Sequence, residues 1–62
     1  MTDYKIKIVE FIDHHIEDIF LTNATREIFL AIYQTLDQCN NYESTYYYLL
    51  TLHIKDQRKY IG

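Results

Sequence analysis

Apolar residues recur along this chain at steps of three and four, the spacing of one face of an α-helix. In the first segment they fall at Ile8, Val9, Ile12, Ile16, Ile19 and Phe20, with Glu10, Asp13, Glu17 and Asp18 largely on the other side. The second segment has the cleanest stripe: Ile28, Phe29, Ile32, Tyr33, Leu36 and Cys39. The third places Tyr46, Tyr47, Leu49, Leu50, His53, Ile54 and Ile61 on one broad face. Weak turn sites at Thr22-Asn23 and Asn40-Asn41 separate the three. Gly62 is the single glycine, so tight hairpins that need positive φ have no support. The pattern predicts an all-α, compact three-helix domain over residues 1–62, with helices at roughly 3–20, 24–39 and 43–60, packed helix on helix and self-associating.

Capping chemistry agrees with these breaks. Thr2 is the expected N-cap of the first helix, with Asp3 in its first turn. Asn23 is the expected cap of the second, and Asn40 with Glu43 resembles a capping box for the third. One signal competes: Tyr4-Lys5-Ile6-Lys7-Ile8 alternates like a strand and is rich in β-branched residues. The helical reading prevails because the rest of that segment is periodic and no turn supplies a strand partner.

Composition narrows the setting. A 62-residue chain buries a modest fraction of its surface, and such scaffolds often add a disulfide, a metal or a partner subunit. With a single cysteine, an internal disulfide is excluded; a packed Cys39 suits a reducing cytoplasm and a bacterial, phage or plasmid origin. The interrupted apolar pattern gives neither a signal peptide nor a membrane span. The net charge of −3 weighs against broad nucleic-acid binding. That charge is uneven: the chain runs from an acidic start to an end carrying Lys55, Arg58 and Lys59.

Catalysis finds no constellation of acid, base and pocket. Cys39 lies on the core stripe with nothing to place His53 beside it, and no phosphate-binding glycine loop exists. The chain therefore reads as a non-enzyme without cofactors. His14, His15 and His53 raise the question of a metal. Adjacent His14 and His15 point about 100° apart on a helix, and His14 with Asp18 offers a two-ligand surface pair at best, so no stable metal site is expected.

Apolar residues outside the stripes carry the functional reading. Tyr48 and Leu52 lie four apart off the main face of the third segment, Leu30 is off the stripe of the second, and Phe11 and Tyr4 flank the first. Leu30, Tyr48 and Leu52 are expected to meet another chain, since tyrosine supplies large area with a polar tip. Glu17 and Asp18, at the expected C-terminal end of the first helix, carry charge that the helix dipole disfavours; the acidic face is expected to steer a basic partner. The leading expectation is a cytoplasmic interaction module, a homodimer or other homo-oligomer. It would act as a regulator or inhibitor of a larger protein, in a setting such as a phage or other mobile element. A structural assembly subunit is an alternative that predicts larger oligomers.

The stretch Leu36 to Thr45, followed by Tyr46 to Leu52, resembles the helix-turn-helix of Fis-type DNA-binding proteins. A leucine, a cysteine, an asparagine turn and a later leucine match in order. Tyr46 and Tyr47 stand where that family has paired small residues, and Thr51 stands at its turn glycine. The resemblance implies DNA binding, with Lys55, Arg58 and Lys59 on the phosphates.

Overall fold

A computed structural model describes the backbone of residues 2–61 and the side chains of residues 2–58. The first helix, α1, spans Tyr4–His15, and Asp3 is its N-cap. Asp3 Oδ1 accepts the backbone N–H groups of Lys5 (3.1 Å) and Ile6 (3.3 Å), which satisfies two of the donors every helix start leaves open. The cap is one residue later than the expected Thr2. Burial decides helix against strand: Ile8 and Ile12, one turn apart, are buried, whereas Ile6 is exposed. A strand would put Ile6 and Ile8 on the same side.

α1 stops at His15, five residues short of the expected end at Phe20. Asp18 is the physical reason. Its backbone N–H bonds to His15 O (3.0 Å), its Oδ1 accepts the Phe20 N–H (2.9 Å) and its carbonyl accepts the Leu21 N–H (3.1 Å), a turn that replaces helical bonding. Ile19 and Phe20, expected in the core, are therefore exposed in the connection, and Leu21 is buried instead.

α2 spans Asn23–Gln34, capped by Thr22, one residue before the expected Asn23. The Thr22 hydroxyl oxygen accepts from the Thr25 N–H at 3.2 Å. The helix ends before the expected Cys39 because Thr35 turns its hydroxyl back onto Ala31 O (2.8 Å) and a 3-10 turn, Leu36–Gln38, follows. Tyr42 Oη donates to Leu36 O at 3.0 Å, tying that turn to the next helix. Leu36 is buried, and Cys39 is half-buried with Sγ 3.2 Å from Thr45 Oγ1.

α3 spans Tyr42–Ile61 and, at 20 residues, runs about 30 Å. Asn41, one residue after the expected Asn40, caps it through Oδ1 on the Ser44 N–H (3.0 Å). It is continuous through Leu50, Thr51 and Leu52, so the turn implied by the Fis-type resemblance is absent. No strand occurs among the described residues, and no described helix is long and apolar enough to cross a membrane.

The three helices form a compact domain with α1 packed most extensively on α3. Ile8, Ile12, Leu21, Phe29, Leu36 and Leu49 make the buried core, and Phe11, Ile32, Tyr46 and Leu52 pack around it. Phe29 is fully buried, which stabilises the fold by about 1.5–3 kcal/mol relative to an exposed ring. The inward seam of α3 is Tyr42, Tyr46, Leu49, His53 and Asp56, spaced four, three, four, three. Tyr47 and Ile54, expected inside, are about half exposed on the outer side. The predicted core position Ile61 lies outside the residues whose side chains are described.

Candidate functional site

The inward seam of α3 turns polar at His53 and Asp56, where it faces the end of α1 and the α1–α2 connection. His15, in the last turn of α1, lies with its ring centroid 4.1 Å from that of His53. Phe11, one turn earlier on α1, touches both rings, at 4.5 Å from His15 and 5.7 Å from His53. Asp18 closes the third side, with Oδ2 at 4.0 Å from His53 Nε2. One ligand-capable atom from each of His15, Asp18 and His53 lies within 4.8 Å of the other two, and all three residues are half-buried.

The surroundings of His15 act on its protonation. Burial holds the His15 imidazole below its ordinary pKa of 6.5, and the neighbouring His53 and His14 push the same way against the opposing pull of Asp18. The uncharged imidazole of His15 is thereby favoured. The Gln57 side-chain nitrogen lies 3.4 Å from His53 Nε2. A cleft of about 420 Å³, lined by Lys7, Glu10, Phe11, His14, His15 and Tyr46, opens beside the cluster and reaches His15 from solvent.

Two residues that the sequence pattern does not single out hold this corner in place. Arg26, on α2, donates Nε to Ile16 O (3.0 Å) and a terminal nitrogen to Asp18 O (3.0 Å). Its guanidinium covers the Ile16 carbonyl at the C-cap of α1, where the dipole favours a cation, and gives Asp18 O a second donor beside the Leu21 N–H. Asp56, 4% exposed, takes the Thr22 N–H on Oδ2 at 2.8 Å, and the Thr22 hydroxyl lies 3.1 Å from the same oxygen. A carboxylate from α3 thereby does for the start of α2 what the glutamate of a capping box does from within one helix.

The residues expected to contact partners are distributed differently from the sequence reading. Tyr48 and Leu30 are exposed, at 49% and 44%. Leu52 is instead half-buried against the core, because the inward seam of α3 passes beside it. Glu17 is exposed, and both Glu17 and Asp18 lie just past the C-cap of α1 in the turn that Arg26 holds, instead of within the helix as expected. The Asp18 carboxylate is turned to Phe20 N–H and His53 within the chain, and no His14–Asp18 pair forms. On α3, Tyr47, Tyr48, Thr51, Ile54, Lys55 and Arg58 share the exposed outer side. Lys55 and Arg58 thus share a helix side with Tyr48, two to three turns further along; the Lys59 side chain lies outside the described residues.

A second aromatic cluster sits where α1 begins. Tyr4 packs against Tyr46 (5.8 Å) and Tyr47 (6.1 Å), and Lys7 Nζ stands 5.6 Å and 5.5 Å from the rings of Tyr4 and Tyr46. The Tyr4 phenol is pushed up to about 12, first by side-chain hydrogen bonding with Tyr47 and then by desolvation.

Comparison with known proteins returns nothing similar: no family model, no curated protein and no solved structure matches this chain.

Proposed function

We propose that this chain is a protein-interaction module that pairs with a second copy of itself through the outer side of α3, and that it regulates or inhibits a larger protein by binding it. The observation that carries the reading is the exposure of Tyr47, Tyr48 and Ile54, each about half exposed, on one helix side that also bears Lys55 and Arg58. Tyrosine and arginine are the residues enriched where interfaces are strongest, and apolar groups grouped on one side mark contact surfaces. Lys55 and Arg58 form no ion pair among the described residues. Glu43, exposed in the first turn of the same helix, supplies the complementary charge when the two copies of α3 run antiparallel. A twofold arrangement would satisfy both copies at once and close the assembly at a dimer.

Sedimentation equilibrium from micromolar to millimolar concentration tests this directly. A monomer–dimer equilibrium is expected, weakened at least tenfold by Tyr48→Ala with Ile54→Ala, and weakened again by Lys55→Glu with Arg58→Glu. A strict monomer throughout, or a dimer indifferent to these changes, refutes it.

Tyr48 on the same helix side as Lys55 and Arg58 also favours a second reading, contact with a nucleic-acid strand through stacking and phosphate pairing. That reading predicts retention on DNA that falls steeply as salt rises. Retention that is absent or salt-independent removes it.

A further inference from the structure

We propose that His15, Asp18 and His53 form a binding site for a divalent transition cation of the zinc type, which clamps the end of α1, the α1–α2 connection and α3 together. The inference is independent of the outer side of α3. Two imidazoles and one carboxylate are a donor set that zinc accepts, with a water in the fourth position. The three donor atoms lie within 4.8 Å of one another. Bonds of about 2.0–2.1 Å in a tetrahedron set ligand atoms about 3.3 Å apart, so side-chain rotations that draw them in by about 1.5 Å complete the site.

The surroundings are those of a held site. Asp18 Oδ1 is occupied by the Phe20 N–H (2.9 Å), which leaves Oδ2 directed at His53. Arg26 fixes the Asp18 backbone from behind through its carbonyl. Phe11 packs on both imidazole rings and keeps them side by side. The cleft beside His15 offers an entry path. A 62-residue chain with a single cysteine has no disulfide of its own, and a metal clamp is the other common staple of small domains.

The experiment is titration of the full chain with cobalt(II) chloride, followed by visible absorption, and with zinc chloride, followed by long-range ¹H–¹⁵N spectra of the imidazoles. Expected are a one-to-one d–d band that zinc abolishes, and zinc-induced shifts of the His15 and His53 ring nitrogens. His53→Gln and Asp18→Asn should each remove the band while helicity by circular dichroism is kept; His14→Ala should leave it. Zinc at a hundredfold excess over its Kd should raise Tm by on the order of 10 °C. Absence of the band and of the imidazole shifts overturns the proposal. So does binding lost in His14→Ala but kept in His53→Gln, which would place the ion on the surface pair of His14 and Asp18. The imidazole spectra need no variant, so they decide the matter even where a substitution unfolds the chain.

Discussion

Replacing Asp56 by alanine tests the view that α3 caps α2 across the fold. The carboxylate is 4% exposed and receives the Thr22 N–H at 2.8 Å, with the Thr22 hydroxyl at 3.1 Å. A hydrogen bond to a charged group contributes about 1.5–3 kcal/mol, and its loss leaves the part-buried Thr22 N–H without that acceptor. Negative charge at a helix start adds about 0.3–1 kcal/mol. Asp56→Ala should therefore cost about 2–4 kcal/mol. A domain of this size has a total stability of only about 3–9 kcal/mol. The midpoint of thermal unfolding should fall by roughly 10–30 °C. Asp56→Asn keeps an acceptor of the same shape and loses only the charge, so it should recover about half of the deficit. Urea unfolding followed at 222 nm, compared at equal m-values, measures both variants. Amide exchange at Thr22 and along the first turn of α2 supplies the local reading, since that turn should open first. An Asp56→Ala protein within about 0.5 kcal/mol of the parent, or one destabilised with exchange at Thr22 unchanged, would refute the reasoning.

Phe29→Ala removes the largest fully buried side chain among the described residues and should cost about 3–5 kcal/mol, enough to leave much of the population unfolded at 37 °C by circular dichroism. Tyr48→Ala and Ile54→Ala, both at exposed positions, should shift urea stability of the monomer by no more than about 0.5 kcal/mol, so any loss of association is not a loss of fold. Tyr4, raised in the folded chain to about 12 from 10.0, binds its proton more tightly folded than unfolded. Its contribution to stability is whole below pH 10 and is lost as pH rises from there through about 12. Absorbance at 295 nm should show a late tyrosine ionisation near pH 12, and Tyr4→Phe should abolish that step.

Periodicity and turn chemistry, read from the sequence alone, determine that this chain is three helices with breaks near residues 22 and 40. The reason is local: apolar spacing of three and four favours one helical face, and Thr and Asn compete with the helix for its own backbone groups. Each cap fell one residue from its expected position, at Asp3, Thr22 and Asn41, because two neighbouring residues could serve and only the backbone path chooses between them. The early end of α1 depends on Asp18, and Arg26 from α2 holds the resulting turn. Tertiary packing alone decided which side of α3 faces inward. Ile54 and Tyr47 are as apolar as the residues that are buried, so a wheel drawn from one helix cannot exclude them. The seam became Leu49, His53 and Asp56 because α1 and the start of α2 present partners for those groups there. For the same reason no spacing rule could bring His15 and Asp18 to His53. They lie on segments far apart in the chain, and their meeting is set by how α1 crosses α3, a property of the shared core.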